Sequence, residues 1–381
     1  MNGADVSGEL RGDAAGAERM PDVGDGALDG DTVPSSLHVL DSLHPGGAQN
    51  VAIDLASWLV GKGGDVTIAA PDGPLADRLP SGVAFEPLPT GPAAVGGLAR
   101  AVLARRPRIL HAHQRRQALE AAMIGRVLGV PVVEHAHTVL PQTRLRALSF
   151  RSAVVFSVGE GVSRMVIERF GRDAGRVLTI GNVPAHRSGP APVARHAAHR
   201  DGAPLRLLGI GRLVEQKDPE RFVRVVAAVA RHRAVTARWL GDGPLLEPAR
   251  AIARRLDSPV EFPGTSDDVV AELDASDALL MTSRWEGNPL VALEALLRRR
   301  PVFSTAASGV ELPDGAAAIL TAPNASDDDA FAAVILSAFA SGPVLDGFVE
   351  RAHRHVADDL VPDRVYAPVL REYRRVARGA S

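Results

Sequence analysis

The chain contains no cysteine, which excludes disulfides, thiolate metal sites and a cysteine nucleophile. Aromatic residues make up only 4% of the sequence, so the core must consist mainly of Ala, Val and Leu. Long apolar runs are missing too, since none approaches the roughly 18 to 20 residues of a membrane-spanning helix. The formal net charge of −2 gives no electrostatic reason to expect a nucleic-acid partner. We therefore expect a soluble protein without a transmembrane segment, and the absence of cysteine suits a cytoplasmic location.

Lysine is almost absent, although the chain has 43 basic residues. Only Lys62 and Lys217 are lysines, and the heavy use of Arg, Ala, Gly and Pro indicates a GC-rich bacterial genome. Lysine carries a compact charge on a flexible stem, whereas arginine presents a rigid planar fork. A site that neutralises a phosphate in a narrow space can require the lysine. Lys217 is therefore a candidate for such a site, whereas Lys62 is expected at the end of a surface helix.

Two segments show no apolar period. Residues 1–34 lack the basic start and the apolar run of a signal peptide, and they carry eight acidic residues against two arginines. We predict that they form a disordered acidic tail. Residues 186–204 are rich in Pro, Ala, Arg and His and are predicted to link two domains.

On both sides of this linker, short apolar runs alternate with amphipathic stretches, which is the pattern of βαβ units. We predict one Rossmann-like domain over residues 35–185, a second over residues 205–361, and a long helix within residues 362–381. The chain is long enough for each domain to bury its own core. Such a pair should bind its ligand in the crevice between the domains, at the carboxyl ends of the strands.

The first loop at such a position is Pro45-Gly-Gly-Ala-Gln49, between the first strand and its helix. Gly46 and Gly47 would let the backbone approach a phosphate or the other domain closely, and the helix start supplies free N–H groups. A simple tight turn is the alternative interpretation.

The second loop follows the first strand of the second domain. Gly209-Ile-Gly211 resembles part of a dinucleotide fingerprint, but the third glycine is missing, which argues against a nicotinamide-dependent reductase. Arg212 and Lys217 flank this strand-to-helix turn. Two cations aimed at one point could offset the charge of a departing diphosphate without a metal.

The third loop lies within residues 283–295, whose sequence is SRWEGNPLVALEA. Glu286 is expected in the loop, Pro289 as the first helical residue, and Glu294 about one and a half turns inside the helix. Amides at this helix start favour anionic or hydroxyl-rich ligands. Alternatively, Glu294 could pair with Arg298, four residues further along the helix.

Histidines gather at two predicted strand ends, as the pairs His111/His113 and His135/His137. Their spacing puts each pair on one face of a strand, so a zinc site is conceivable. Because cysteine and a matching acidic cluster are missing, we expect no metal and instead a hydrogen-bonding role towards a polar ligand.

Three charged segments are expected to be structural. Asp267-Asp268 and Asp327-Asp-Asp329 are predicted helix starts, where acidic residues complement the helix dipole. Residues 144–151 are basic and amphipathic and are predicted to form a solvated helix, with contact to a membrane surface as the alternative.

Together these motifs resemble the retaining glycosyltransferases of the GT-B fold, of the family 4 or group 1 type, which include the phosphatidylinositol mannosyltransferases. The resemblance extends from Leu37 to the C-terminal helix, and its most specific part is the Glu-x7-Glu motif from Glu286 to Glu294. The other matching segments are PGGAQ at 45–49, GRLVEQK at 211–217 and GDGP at 241–244.

The resemblance implies an α/β GT-B architecture, two Rossmann-like domains facing across a deep cleft, with an N-terminal acceptor domain and a C-terminal donor domain. Arg212 and Lys217 would hold the donor diphosphate, and Glu294 would bind the ribose. Glu286 would hold the donor sugar beside His137, for which His135 is the alternative. The catalytic residues so predicted are His137, Arg212, Lys217 and Glu286. The predicted donor-binding residues are Gly46, Gly47, Gly241, Gly287, Asn288, Pro289, Leu290 and Glu294.

The expected activity is transfer of a sugar from a UDP- or GDP-linked donor to a hydroxyl acceptor with retention of configuration. No cofactor or metal is expected, and the acceptor would be a small molecule, a lipid or a glycan, with peripheral membrane contact possible. The resemblance also implies that the last helix returns to the N-terminal domain. Two alternatives stay open, namely a sugar-nucleotide epimerase of the same fold and a non-catalytic partner subunit that binds a nucleotide sugar.

Overall fold

A computed structural model describes residues 32–143, 145–185, 203–305, 319–321 and 327–379. Within these ranges the chain forms two parallel β-sheets flanked by helices, as the alternating apolar runs predicted. Most of the predicted acidic tail (residues 1–31) and of the predicted linker (residues 186–202) lies outside the described residues.

The N-terminal domain alternates strands and helices. Its strands are β1 (Ser36–Val39), β2 (Val66–Ala70), β3 (Val83–Pro87), β4 (Ile109–Ala112), β5 (Val132–Ala136), β6 (Val154–Ser157) and β7 (Val177–Thr179). Its helices are α1 (Gly47–Gly61), α2 (Ala94–Arg105), α3 (Arg115–Leu128) and α4 (Glu160–Arg164), the last continued by a π-helical turn at Met165–Arg169. The parallel strands lie in the order β3-β2-β1-β4-β5-β6-β7, so the winding reverses between β1 and β4.

The C-terminal domain repeats this arrangement with a six-stranded sheet. Its strands are β8 (Leu205–Ile210), β9 (Val235–Leu240), β10 (Val260–Gly264), β11 (Ala278–Met281), β12 (Val302–Ser304) and β13 (Ile319–Thr321). Its helices are α5 (Pro219–Ala230), α6 (Leu246–Leu256), α7 (Val269–Ala275), α8 (Leu290–Leu297), α9 (Asp328–Ala340) and α10 (Gly342–Asp358). The strands lie in the order β10-β9-β8-β11-β12-β13, so the winding reverses between β8 and β11.

Helix starts in the C-terminal domain follow directly from the sequence. The carboxylate of Asp218 accepts a hydrogen bond from the amide of Arg221 (3.2 Å), and Pro219 occupies the first helical position of α5. Asp268 and Asp327 cap α7 and α9 in the same way. The prediction that both acidic segments begin helices is therefore confirmed.

In the N-terminal domain the structure differs from the sequence-based expectations at two places. Strand β3 and the start of α2 fall in a stretch without a recognisable pattern, because the residues of β3 are only half-buried or exposed at the sheet edge. The predicted helix over residues 144–151 is wrong. Residues 145–150 form turns instead, in which Leu145 and Phe150 take left-handed φ values of 55° and 56° that end any helical run.

The chain ends in α11 (Pro362–Val365) and α12 (Ala367–Arg378), which pack on the N-terminal domain. The hydroxyl of Tyr366 donates to Asp54 of α1 (2.8 Å), and Nε1 of Trp58 donates to Asp363 (2.7 Å). Lys62 forms an ion pair with the same Asp363 carboxylate at 2.8 Å. Among the described helices no single one is long and apolar enough to cross a bilayer; α9 and α10, bent by 95°, pass that criterion only as a pair.

Candidate active site

Two loops leave the carboxyl edge of the C-terminal sheet side by side, at the point where its winding reverses. One follows β8 and runs through residues 211–218, and the other follows β11 and runs through residues 282–289. Open α/β sheets bind ligands at such a switch point, because the connections that follow the two strands pass to opposite faces of the sheet and leave a crevice at its carboxyl edge. We call these segments the cation loop and the glutamate loop.

Hydrogen bonds hold the two loops together. The hydroxyl of Thr282 donates to the backbone oxygen of Lys217 (3.1 Å), and the amide of Arg284 donates to the oxygen of Gln216 (2.7 Å). The side-chain amide of Gln216 in turn donates to the oxygen of Trp285 (3.1 Å). The loops therefore form one unit, and the side chains that they carry have fixed relative positions.

This loop pairing brings Lys217 and Glu286 into contact. Nζ of Lys217 lies 2.6 Å from Oε1 of Glu286, and their side chains are only 20% and 6% exposed. The stem of Lys217 lies over Gly211, because a Cβ at Gly211 would come within 3.2 Å of its Cε. The sequence had placed these two residues in separate motifs, 69 positions apart. The structure makes them one partly buried ion pair at the mouth of the crevice.

Arg212, the other predicted cation, lies at the start of the cation loop. Its side chain is exposed and makes no hydrogen bond or ion pair with any described residue. It is therefore available to an anionic ligand without breaking a contact within the described chain.

Backbone packing explains the glycines of the segment 241–244. Gly241 has φ +140°, and a Cβ there would overlap the backbone of Gly211, whose carbonyl carbon would be 2.9 Å away. Gly243 is packed in the same way against the oxygen of Leu213. The indole N–H of Trp239 donates to the oxygen of Gly211 (2.9 Å). Gly241 thus lies behind the cation loop and supports its backbone; its predicted role in donor binding stays a prediction.

The glutamate loop leads into α8. Glu286, Asn288 and Leu290 are each 8% exposed, and Glu294, one turn into the helix, is 4% exposed. The expectation that Pro289 is the first helical residue is wrong by one position. Its ψ of 122° is extended, so it is the N-cap and α8 begins at Leu290.

The glutamate loop also contacts the N-terminal domain. Gly287 lies against the backbone after β5, where a Cβ would come within 2.9 Å of the carbonyl carbon of His137. The side-chain amide of Asn182 donates to the backbone oxygen of Asn288 (2.7 Å), and the side-chain amide of Asn288 donates to the backbone oxygen of Val158 (2.9 Å). Asn182 was not predicted from the sequence, where its only signal is a polar residue in the apolar segment Ile-Gly-Asn-Val that follows β7.

These contacts bring His137 to the glutamate loop, at the carboxyl edge of the N-terminal sheet. His137 is half-buried as a residue, and its Nε2 lies 3.2 Å from Nδ1 of His113. Burial lowers the pKa of His137 to about 3, so its imidazole is neutral near pH 7. His135, the alternative, is 2% exposed and stacks on His111 inside the domain.

Gly46 and Gly47 lie where α1 begins, at the carboxyl edge of the N-terminal sheet. Gly46 is the N-cap in an extended conformation, and a Cβ on it would overlap the side chain of Gln49. A Cβ on Gly47 would meet no described atom within 4 Å. The space above Gly47 is therefore open to a ligand or to the facing domain.

Family models match both halves of the chain. Residues 45–183 match the model described as Glycosyltransferase Family 4, and residues 204–341 match the model described as Glycosyl transferases group 1. Each half of the chain thus belongs to a glycosyltransferase family. The two matches meet near the predicted linker, so they coincide with the two Rossmann-like domains.

Solved structures agree with this GT-B architecture. The structure of HepE from Anabaena in complex with UDP and glucose superposes with a TM-score of 0.75. It shares 20% identity, and the alignment covers 89% of this glycosyltransferase and 99% of HepE. At this identity the likeness establishes the fold.

Among curated proteins, this glycosyltransferase is 35% identical over 104 residues to the Vi polysaccharide biosynthesis protein VipC/TviE of Salmonella typhi. It is 29% identical over 211 residues to the putative glycosyltransferase EpsF of Bacillus subtilis. These alignments cover 26% and 49% of the chain. The chain spans 18% of the first relative and 54% of the second, so it matches about half or less of their length.

Proposed function

We propose that this glycosyltransferase moves a sugar from a UDP- or GDP-linked donor to a hydroxyl acceptor, with retention of configuration and without a metal on the donor phosphates. The observation that carries the proposal is the pairing of the two loops at the switch point. It unites Lys217 and Glu286 in a partly buried contact and leaves Arg212 exposed beside them. The solved HepE complexes with UDP, glucose and UDP-glucose support a donor of this class.

Each residue has a chemical task in this proposal. Arg212 and Lys217 neutralise the donor diphosphate, the first as a planar fork and the second as a point charge. Glu294 accepts hydrogen bonds from the ribose hydroxyls. Glu286 and the amides at residues 287–290 hold the sugar hydroxyls, and the neutral His137 can donate to or accept from the same sugar.

The proposed step is a front-face substitution. The bond between the anomeric carbon and the phosphate oxygen breaks, the acceptor oxygen bonds to the same face, and the departing phosphate oxygen takes the acceptor's proton. Negative charge grows on the diphosphate as the bond breaks. Cations already fixed beside it stabilise that charge more in the transition state than in the ground state, which is what accelerates the reaction. Lys217 and Arg212 therefore act in catalysis as well as in binding.

The acceptor is proposed to be a small molecule, a lipid or a glycan that carries a free hydroxyl, in a cytoplasmic setting. The N-terminal domain would bind it, since the loop after β5 contacts the glutamate loop. Curated relatives with polysaccharide biosynthesis or glycosyltransferase names are compatible with a glycan acceptor.

The test is the replacement of Lys217, with the other lysine of the chain as a matched control. Lys217→Ala should lower turnover of a nucleoside diphosphate sugar by on the order of 10²-fold or more, because an electrostatic contact to the leaving group is lost. Lys217→Arg should also lose activity, because the planar guanidinium cannot follow the narrow path over Gly211. Lys62→Ala should leave turnover unchanged. Near-normal turnover in both Lys217 variants would refute the assignment.

The donor is identified by thermal shift with a panel of UDP- and GDP-sugars, since a ligand that binds only the folded state raises the melting temperature. Incubation with the best donor and no acceptor separates the alternatives. An epimerase would convert the sugar to its epimer, whereas a transferase would show only slow hydrolysis. Stabilisation by a donor with no turnover on any hydroxyl acceptor would favour the non-catalytic subunit.

A further inference from the structure

Five histidines lie together on three neighbouring strands of the N-terminal sheet. The histidine cluster consists of His38 on β1, His111 and His113 at the end of β4, and His135 and His137 at the end of β5. The ring centroids are 4.3 Å apart between His111 and His113 and also between His135 and His137. Only one of these rings, that of His137, belongs to the proposed transferase site, so the cluster calls for an explanation of its own.

A hydrogen-bond chain accounts for part of the cluster. Nδ1 of His113 lies 3.2 Å from Nε2 of His137, and Nε2 of His113 lies 3.1 Å from Nδ1 of His38. The hydroxyl of Tyr373 lies 3.3 Å from Nε2 of His38 and 2.5 Å from Nδ1 of His111. These four contacts use both ring nitrogens of His38 and His113.

The same chain leaves His135 unexplained. Its ring is 2% exposed, and neither Nδ1 nor Nε2 has a hydrogen-bond partner among the described residues. Every neutral imidazole has one N–H and one lone pair, so His135 buries both a donor and an acceptor without a partner. Buried polar groups are rarely left unpaired, and such a group calls for a ligand that supplies the missing partner.

We propose that the histidine cluster binds a divalent transition metal of the Zn²⁺ type through His113, His135 and His137. Each of the three offers one ring nitrogen, and the three nitrogens lie within 4.8 Å of one another. The 3.2 Å between Nδ1 of His113 and Nε2 of His137 is close to the ~3.3 Å edge of a tetrahedron with Zn–N bonds of ~2.0 Å. Imidazole is a preferred ligand of zinc, copper, iron and nickel ions.

The remaining members of the cluster form the outer shell that such a site needs. With Nδ1 of His113 on the metal, its Nε2–H donates to Nδ1 of His38. Nε2–H of His38 donates to the oxygen of Tyr373, whose hydroxyl donates to Nδ1 of His111. Ligating histidines are usually fixed by such a bond from their second nitrogen.

Two groups of three histidines could hold an ion, and access from solvent favours His113, His135 and His137. His38, His111 and His113 could also converge on an ion, but they are 0%, 0% and 2% exposed. His137, by contrast, is half-buried as a residue, and its backbone lies against the glutamate loop. An ion can enter there, and a fourth coordination position stays open, as in zinc sites with three protein ligands. Three neutral imidazoles can bind such an ion without an acidic cluster beside them.

The proposal does not depend on the transferase assignment, so its test measures metal binding alone. Tag-free full-length protein is stripped with EDTA and titrated with Co²⁺, whose visible absorption reports tetrahedral coordination, and then with Zn²⁺ in competition. We expect saturable binding of one ion per chain that excess Mg²⁺ does not displace. His135→Phe should weaken binding at least 100-fold, and His38→Gln should weaken it about 10- to 100-fold through the outer shell.

His232→Gln is the matched control, because His232 is exposed in the other domain and should leave binding unchanged. Phe fits the apolar side of the cluster beside Phe156, so His135→Phe should remain folded, which its melting curve checks. Absence of saturable binding in the wild type would overturn the proposal. Equal affinity in the wild type and His135→Phe would also overturn it, since the ion would then lie elsewhere. Bound Zn²⁺ should also inhibit sugar transfer, because a ring nitrogen of His137 that binds the metal can no longer hydrogen-bond with the donor sugar.

Discussion

Glu134→Gln tests whether one buried carboxyl group controls how stability depends on pH. Glu134 lies on β5 and is 2% exposed. Its Oε2 accepts a hydrogen bond from the hydroxyl of Ser152 (3.3 Å), whereas its Oε1 has no partner among the described residues. Desolvation raises its pKa to about 8, opposed by the Ser152 hydrogen bond and by the charges of Arg115 and Arg172. The group is therefore protonated in the folded protein at neutral pH and ionised in the unfolded chain.

The sign and size of the effect follow from proton linkage. Between pH 4.5 and about 8 the folded state binds a proton that the unfolded state has lost, so stability falls as the pH rises. The contribution of Glu134 to the free energy of unfolding is fully present below the pKa of the unfolded chain. Between about pH 5 and about pH 8 the protein loses about 3 kcal/mol of this contribution. Glutamine has the shape of the protonated acid and cannot ionise. The Glu134→Gln protein should therefore escape this loss.

Urea unfolding in the presence of EDTA measures the effect at about pH 5, 6.5 and 8. The free-energy difference between Glu134→Gln and the wild type should grow in favour of the variant by about 3 kcal/mol from the lowest to the highest pH. The buried histidines titrate in the opposite sense, since burial lowers their pKa values and stability is lost as the pH falls below 6.5. That contribution is shared by both proteins and cancels in the difference. Glu261→Gln, at a side chain that is 78% exposed, is the control. A difference that stays constant across this range would refute the reasoning.

Two further predictions concern the loops of the candidate active site. Lys217→Ala should lower the free energy of unfolding, measured with urea, by about 2–4 kcal/mol, because Glu286 keeps a buried charge without its partner. The double variant Lys217→Met/Glu286→Gln should recover most of that loss and remain inactive. If the double variant is as unstable as the single one, the ion pair is not the cause. Gly287→Ala should lower stability by about 1–3 kcal/mol and also reduce kcat/KM, because its Cβ would press on the backbone of His137. Gly61→Ala, whose Cβ meets no described atom within 4 Å, should lower neither quantity, and a matching loss there would contradict the argument.

The sequence predicted best those elements whose signals lie close to them along the chain. Apolar runs such as Leu205–Ile210 could be recognised as buried parallel strands, and Asp268 and Asp327 as caps, because each signal lies within a few residues of its effect. Strand β3 was missed because an edge strand is only half-buried and carries little alternation. The helix predicted over residues 144–151 was wrong because an amphipathic pattern does not reveal left-handed turns.

The two α/β domains, their order and the segments proposed to bind the ligand could be predicted from the sequence alone, since hydrophobic periodicity and strand-to-helix turns are encoded locally. Which of those segments meet depends on the tertiary structure. Lys217 and Glu286 are 69 positions apart, and they pair because β8 and β11 are neighbours in the sheet. The histidine cluster likewise forms only because β1, β4 and β5 lie side by side and α12 returns with Tyr373. Contacts of this kind depend on strand order and chain return, which no local pattern in the sequence specifies.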